Sequence, residues 1–366
     1  MVSCFKKSEN HQTPSKQSQN QGVKFAKRFN LTIEANVTTV TVDRPSQNNK
    51  RSLKYILTSD LKTNYAQDGN VFTWHLNQPI KRIICTSTTH LPYLEILGVD
   101  SSLVGFPQTK FVYSPKLRSR IENGSVAEVG QDADLNIEKI LALNPDIVMA
   151  FSSGSESRQL IKLRELGITV VMNADYLETT VLGRAEWIKF IAAFFNKSRE
   201  AHEYFDQLVI RYNSLKQMTD TINRPGVMTG IVYGGNWFLA GGKNHIAGLI
   251  HDAGGKYLWA DDQEEGWLNL DFEAVYSRAA NADIWIGAAD FKTLNELARA
   301  DARYRDFKAY QNGQVFAYNA RVNQYGANDY FESGVAKPDL LLKDHIKMIH
   351  PELLPDCQLY YYRQLE

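Results

Sequence analysis

The chain lacks a charge excess, a cysteine framework and any long apolar run, and each absence narrows what it does. Across 366 residues, 41 lysines and arginines face 41 aspartates and glutamates. A nucleic-acid reader shows a basic excess or stripe, so this balance argues against that class. Three cysteines, Cys4, Cys85 and Cys357, are too few and too widely spaced for a disulfide framework or a metal-ligand pattern. Cys85, in Arg82-Ile83-Ile84-Cys85, reads as a buried strand position. No apolar run approaches the ~20 residues that cross a bilayer. Catalytic signatures are missing as well. Ser152-Ser153-Gly154-Ser155 has no Gly-x-Ser-x-Gly elbow, and no Gly-x-Gly-x-x-Gly or P-loop follows a strand. No His-x-x-x-His or equivalent spacing marks a metal centre.

What the chain does contain is a duplication. Leu135 to Val148 reads as a short amphipathic helix, with Ile137, Ile140, Leu141 and Leu143 on one side, stopped by Pro145 and turned by Asp146 into the buried strand Ile147-Val148-Met149-Ala150. The stretch returns as Leu270-Asp271-Phe272-Glu273-Ala274-Val275, leading through Asp283 into Ile284-Trp285-Ile286. Upstream, Thr89-His90-Leu91 runs to Gly98, and Asn244-His245-Ile246 runs to Gly254. Each is a polar cap and a histidine opening a helix that ends at glycine. Two copies are too few for a solenoid and suit two similar α/β lobes facing each other.

The length predicts two domains with ample chain for their cores. Residues 1–24 are a polar tract, a flexible tether. Within it, Met1-Val2-Ser3-Cys4 reads in two ways: as the lipid-acylation site of a bacterial lipoprotein, or as an incidental cysteine in a disordered tail. Residues 25–79 alternate as β-strands, a sheet extension too small for a core of its own and packed on the first lobe. Residues 80–181 form that lobe, with strands alternating with helices and therefore a parallel sheet. Residues 182–222 carry an apolar stripe from Trp187 to Leu215, interrupted at Asn196 and Ser198, and form a long stiff connecting helix. Residues 223–366 repeat the first plan, with Val227 to Tyr233 as one strand. The predicted class is α/β: two Rossmann-like lobes with parallel sheets, a rigid linker helix and an N-terminal β extension.

Ligands of open parallel sheets bind beyond the carboxyl ends of the strands. Ser87-Thr88-Thr89-His90 and Gly241-Gly242-Lys243-Asn244-His245 follow strands and open helices, whose free N–H groups suit anionic or oxygen-rich ligands. Taken singly, His90 and His245 read as caps or packed side chains; their pairing by the repeat favours the cleft. Tyr113, Tyr176, Trp237, Phe238, Trp259, Trp267, Tyr325 and Tyr330 crowd the predicted rim, and half of them are expected to be packing only. Thr89, Tyr176, Trp237, Phe238, Trp267 and Tyr325 join the two histidines as candidate ligand contacts, with Trp237 and Trp267 foremost. Arg184 and Arg321 are candidate partners for ligand carboxylate or phenolate oxygens, or members of surface ion pairs. Glu138 and Glu273 occupy identical repeat positions, one fixed negative point per lobe for a partner with two basic sockets.

These stretches together resemble a known family. Asn136-Ile137-Glu138-Lys139-Ile140-Leu141-Ala142-Leu143-Asn144-Pro145-Asp146-Ile147-Val148 is similar to the lobe-one signature of iron-complex and cobalamin (class III) substrate-binding proteins of ABC importers. Gly183-Arg184-Ala185-Glu186-Trp187, Asp252-Ala253-Gly254-Gly255, Asn328-Asp329-Tyr330-Phe331-Glu332 and Lys337-Pro338-Asp339-Leu340 resemble the Bacteroidetes-type lipoproteins of that group. The likeness implies a bilobal fold and capture of a ferric siderophore, haem or cobalamin between the lobes. It also implies docking on a permease dimer, with its ATPase subunits, through Glu138 and Glu273. It favours a monomer in the periplasm, tethered by a lipidated Cys4, although the apolar segment that precedes such a cysteine is absent from the chain. No catalytic cofactor, bound metal ion or nucleic-acid partner is implied. A direct metal-ion receptor using His90 and His245 is the alternative, and a two-lobed enzyme a more distant one.

Overall fold

The computed structural model describes residues 22–34, 36–48, 52–58, 72–131, 134–152, 154 and 156–366. Cys4 and most of the tether lie outside them. The chain begins as a four-stranded sheet of Phe29–Glu34, Val37–Val42, Leu53–Thr58 and Phe72–Asn77, in that order. The first three strands pair antiparallel and the last is parallel to its neighbour. Alternation puts Val40 and Val42 on the inner face with Phe29, Leu31, Tyr55 and Leu57. That face joins the core of the first lobe: Phe29 meets Trp187 at 4.8 Å and Phe190 at 5.7 Å. The Met172 N–H donates to the Tyr55 hydroxyl at 2.9 Å.

The first lobe is a parallel sheet ordered Val170–Met172, Ile147–Ala150, Ile83–Cys85, Leu103–Phe106 and Ala127–Glu128. Ile83, Ile84, Cys85 and Ile147 to Ala150 are fully buried, as strands covered on both faces must be. The duplicated stretch shows its local logic here. Asn136 caps helix Ile137–Leu143 by accepting from the Lys139 N–H at 2.9 Å, and Asn144 ends it in the left-handed conformation. The Asp146 carboxylate then accepts from the Lys81 and Arg82 N–H groups, each at 2.8 Å, fixing the entry of the neighbouring strand. In the second lobe Asp271 caps Phe272–Ala279 through the Ala274 N–H at 2.7 Å, and Asp283 accepts from the Gly226 N–H at 2.7 Å. The same two devices thus stand at matching places in both halves.

The second sheet runs Lys256–Tyr257, Gly226–Thr229, Ile284–Ile286, Val315–Ala317 and Arg363–Gln364, with only the last pair antiparallel. The strand expected over 227–233 is divided at Gly230. Its φ is +84°, and a Cβ there would lie 1.9 Å from the Phe238 carbonyl oxygen. Ile231–Tyr233 therefore leaves the parallel sheet and builds a separate antiparallel one with Asn236–Ala240 and Trp267–Leu270. Gly234 and Gly235, both at positive φ, make its two-residue hairpin turn.

The single linker helix expected over 182–222 is three helices, Val181–Ala185, Trp187–Phe194 and Ser198–Gln217. Asn196, at φ +55°, breaks the run. The last of the three spans both halves: Phe205 and Leu208 enter the first core, Tyr212 the second. A second crossing comes from residues 321–336, where Val335 and Ala336 belong to the first-lobe core. The buried Glu332 carboxylate accepts from the Tyr113 and Ser114 N–H groups at 2.7 and 2.8 Å. These two connections join the lobes beside a common cleft.

Candidate ligand-binding cleft

Between the lobes lies a cleft of 490 Å³. Thr89 and Tyr176 reach it from the first lobe, and Val181 and Arg184 from the short helix at the start of the linker. Phe238, His245 and Trp267 come from the second lobe, and Tyr318, Tyr330, Phe331 and Tyr362 close the far wall. Strand alternation decides which aromatics participate. Phe238 is 37% exposed and faces the cleft, whereas Trp237, one residue earlier, points the opposite way and is 0% exposed. Trp237 is thus a core residue and not a wall of the site, a correction to the sequence expectation. Its indole N–H donates to the Thr229 carbonyl at 3.0 Å, and it packs on Trp285 and Phe307 at 5.3 and 5.5 Å. Trp267, beside Ala240 on the adjoining strand, is 60% exposed.

Polar character concentrates in one pair. An Arg184 guanidinium nitrogen lies 3.1 Å from His245 Nε2. Arginine only donates, so Nε2 accepts and the neutral ring carries its proton on Nδ1. Burial, reinforced by the Arg184 charge, holds the His245 pKa well below its ordinary value. Asn244 caps the helix His245–Asp252, accepting from the Ile246 N–H at 3.0 Å. The glycines before it do not form an open anion cradle. A Cβ on Gly241 or Gly242 would come within 2.3 Å of the Glu264 or Asp262 carbonyl, so the loop over 262–264 already covers them.

Other expected contacts lie elsewhere. His90 is buried in the first lobe, off the cleft, with neither ring nitrogen hydrogen-bonded among the described residues. Burial pushes its pKa down to about 4, only partly offset by Asp175. The two repeat-paired histidines therefore do not share a site. Arg321 pairs with Asp329 at 2.7 Å and sits over the Tyr360 ring. Tyr325 donates to Glu122 at 3.3 Å beneath the Arg118 guanidinium. Neither lines the cleft; Tyr325 serves the outer seam between lobes. Trp259 is buried, and Tyr113 is likewise off the cleft. Tyr176 does reach it, its hydroxyl donating to the Ser152 carbonyl. Sequence reasoning passed over Tyr318, Phe331 and Tyr362. Tyr318 directly follows strand Val315–Ala317, so the rule of searching strand ends reaches it; Tyr362 carries no such signal.

Glu138 and Glu273 are exposed in the first turns of equivalent helices, away from the cleft, and Glu273 pairs with Arg303 at 3.3 Å. Among the described residues no group of three or more histidine, cysteine or acidic side chains is placed to hold a metal ion. Among them, too, no helix is long and apolar enough to cross a membrane.

Residues 83–322 match the family described as periplasmic binding protein. The chain belongs to this family. Its relatives include an uncharacterised lipoprotein of Methanocaldococcus jannaschii, 31% identical over 332 residues that cover 85% of this chain and 80% of that one. A vitamin B12-binding protein of Salmonella typhi is 28% identical over 169 residues, 46% of this chain and 61% of its own. Among solved structures, the apo periplasmic heme-binding protein of Roseiflexus sp. RS-1 superposes with a TM-score of 0.58 at 17% identity, over 75% of this chain and 99% of that one. The two-lobed α/β architecture of this periplasmic binding protein is thus a shared one. Its family and structural neighbours are binding proteins and not enzymes.

Proposed function

We propose that this periplasmic binding protein captures a metal complex, a ferric siderophore, haem or cobalamin, between its lobes and delivers it unchanged to an ABC permease with its ATPase subunits. The observation that carries the reading is the cleft itself: 490 Å³, walled by aromatic rings, with the Arg184–His245 pair as its polar anchor. Such a volume and lining suit a small-molecule ligand. Flat aromatic faces suit a macrocycle or a catecholate, and Arg184 suits its carboxylate or phenolate oxygens. Relatives named for heme, vitamin B12 and iron support the ligand class. Glu138 and Glu273 dock on the permease, and Cys4 tethers a monomeric chain to the membrane through lipid. Titration of haem, several ferric siderophores and cyanocobalamin against tryptophan fluorescence tests the capture. Trp267 is 60% exposed at the cleft, so quenching should diminish in Trp267→Phe while binding by calorimetry persists; no binding by any probe would overturn the reading.

A further inference from the structure

A second cavity of 390 Å³ adjoins the cleft, where the carboxyl ends of strands Ile83–Cys85 and Leu103–Phe106 face Asp290 and residues 326–328 of the second lobe. Phe331 lines both spaces and is 52% exposed. The chambers differ in chemistry. Arg184 is the formal charge on the lining of the main chamber, which is otherwise mostly aromatic and aliphatic, with Thr89, Thr229 and His245 as its other polar side chains. The second chamber has no cation on its lining; it offers Gln108 and the Ser87 and Thr88 hydroxyls, with Asp290 among its lining residues. The Gln108 side chain has no hydrogen-bond partner among the described residues, and its backbone takes φ +46°, an uncommon conformation for glutamine.

We infer that Phe331 is a specificity-determining partition and that the second chamber receives an uncharged arm, bearing amide or hydroxyl groups, of the complex held in the main chamber. This rests on the proposed capture of a metal complex. An amide arm satisfies the Gln108 carboxamide in both directions, as donor and acceptor, and donates to the hydroxyl oxygens, whereas a carboxylate arm would meet Asp290 and no compensating cation. The partition is set by a fixed backbone and a ring packed edge-on against Tyr318 and Tyr330, at 5.3 and 5.1 Å. The Phe331 carbonyl accepts from the Thr88 hydroxyl at 3.1 Å, Asp329 is held by Arg321 at 2.7 Å, and Glu332 by two first-lobe N–H groups. Removing the ring therefore joins the chambers and does not let the segment collapse into them.

The test compares two probes, cyanocobalamin, with several amide arms, and haem, with none, on the full chain by calorimetry. Phe331→Ala should raise the cyanocobalamin-to-haem affinity ratio by about tenfold. Gln108→Asn, which tolerates the left-handed backbone and retracts the carboxamide by one methylene, should weaken cyanocobalamin alone by several-fold. Its unchanged haem affinity would exclude a folding defect. If both probes bind and neither variant moves the ratio, the partition is wrong and the capture stands. If neither probe binds any of the three proteins, the partition falls, and the capture falls with it when the ferric siderophores fail as well.

Discussion

His90 and His245 hold the same place in the duplication, and the structure treats them in opposite ways. His245 is the first residue of its helix, one step after the Asn244 cap, and its Nε2 is held by Arg184 at the cleft. His90 ends a separate turn, Thr88–His90, and stands one residue before the helix Leu91–Ile96. Pro92, at the second helical position, sets that start, because proline is tolerated only in the first turn. A shift of one residue rotates a helical side chain by about 100°. One histidine therefore faces the cleft and the other faces the core. The matched aspartates, Asp146 and Asp283, make no such divergence, because each serves the backbone of a parallel strand that both lobes contain. Features demanded by the shared sheet are kept in both halves, and features that only a ligand would demand are free to part.

The comparison is broken most severely at the surface pair. Glu138→Lys together with Glu273→Lys should reduce uptake of the bound complex to background while leaving its affinity unaltered. Uptake at the wild-type rate would separate the duplication from any docking role. Next in size is the contrast between neighbours on one strand system. Trp237→Ala should destabilise the second lobe by about 3–5 kcal/mol in denaturant titrations, the cost of emptying a core site. Trp267→Ala should leave that midpoint in place and lower ligand affinity by on the order of 1–3 kcal/mol. A reversal of the two effects would invert the facing assigned to this sheet.

A smaller contrast sharpens the histidine pair. His245→Leu should weaken binding by about tenfold, the worth of one hydrogen bond to a charged group. His90→Leu should leave affinity unchanged, since that ring does not reach the cleft. Equal losses in calorimetry would place His90 in the site after all.

The smallest expected effect concerns the seam where the halves meet. Burial, opposed by the two N–H donors, pushes the Glu332 carboxyl up to about 8 from its ordinary 4.5. A carboxyl whose folded pKa is raised binds its proton more tightly in the folded state. Its contribution is therefore present below the unfolded value and is lost as pH rises toward the folded one. Denaturation midpoints should fall between about pH 5 and about pH 8, and Glu332→Gln should flatten that fall. Identical slopes in the two proteins would remove Glu332 from the seam's pH response.

Much of the architecture was legible because it follows from short-range rules. The stop at Pro145, the aspartates Asp146 and Asp283 before their strands and the buried runs Ile147 to Ala150 and Ile284 to Ile286 are each decided by a few neighbouring residues. The cleft was legible only in outline. The aromatic content of the segment holding Trp237 and Phe238 was visible, but which ring turns inward depends on strand register, and a single step exchanges the faces. Register in turn depends on Gly230, whose turn against the Phe238 carbonyl starts the separate antiparallel sheet. The segment Gly241-Gly242-Lys243-Asn244-His245 looked open to an anionic ligand because it precedes a helix with free N–H groups. What approaches its glycines is the chain's own backbone at 262–264.

By itself, the order of residues settled that two similar α/β halves exist, that Pro145 and Asp146 turn a helix into a strand, and that one glutamate stands at a matching point in each half. Those are consequences of local capping, periodicity and solvation. Only the folded molecule decided that Arg184 meets His245, that residues 321–336 cross back into the first lobe and that Phe331 stands between two chambers. These groups are brought together by packing between segments far apart along the chain, and no local preference encodes a contact of that kind.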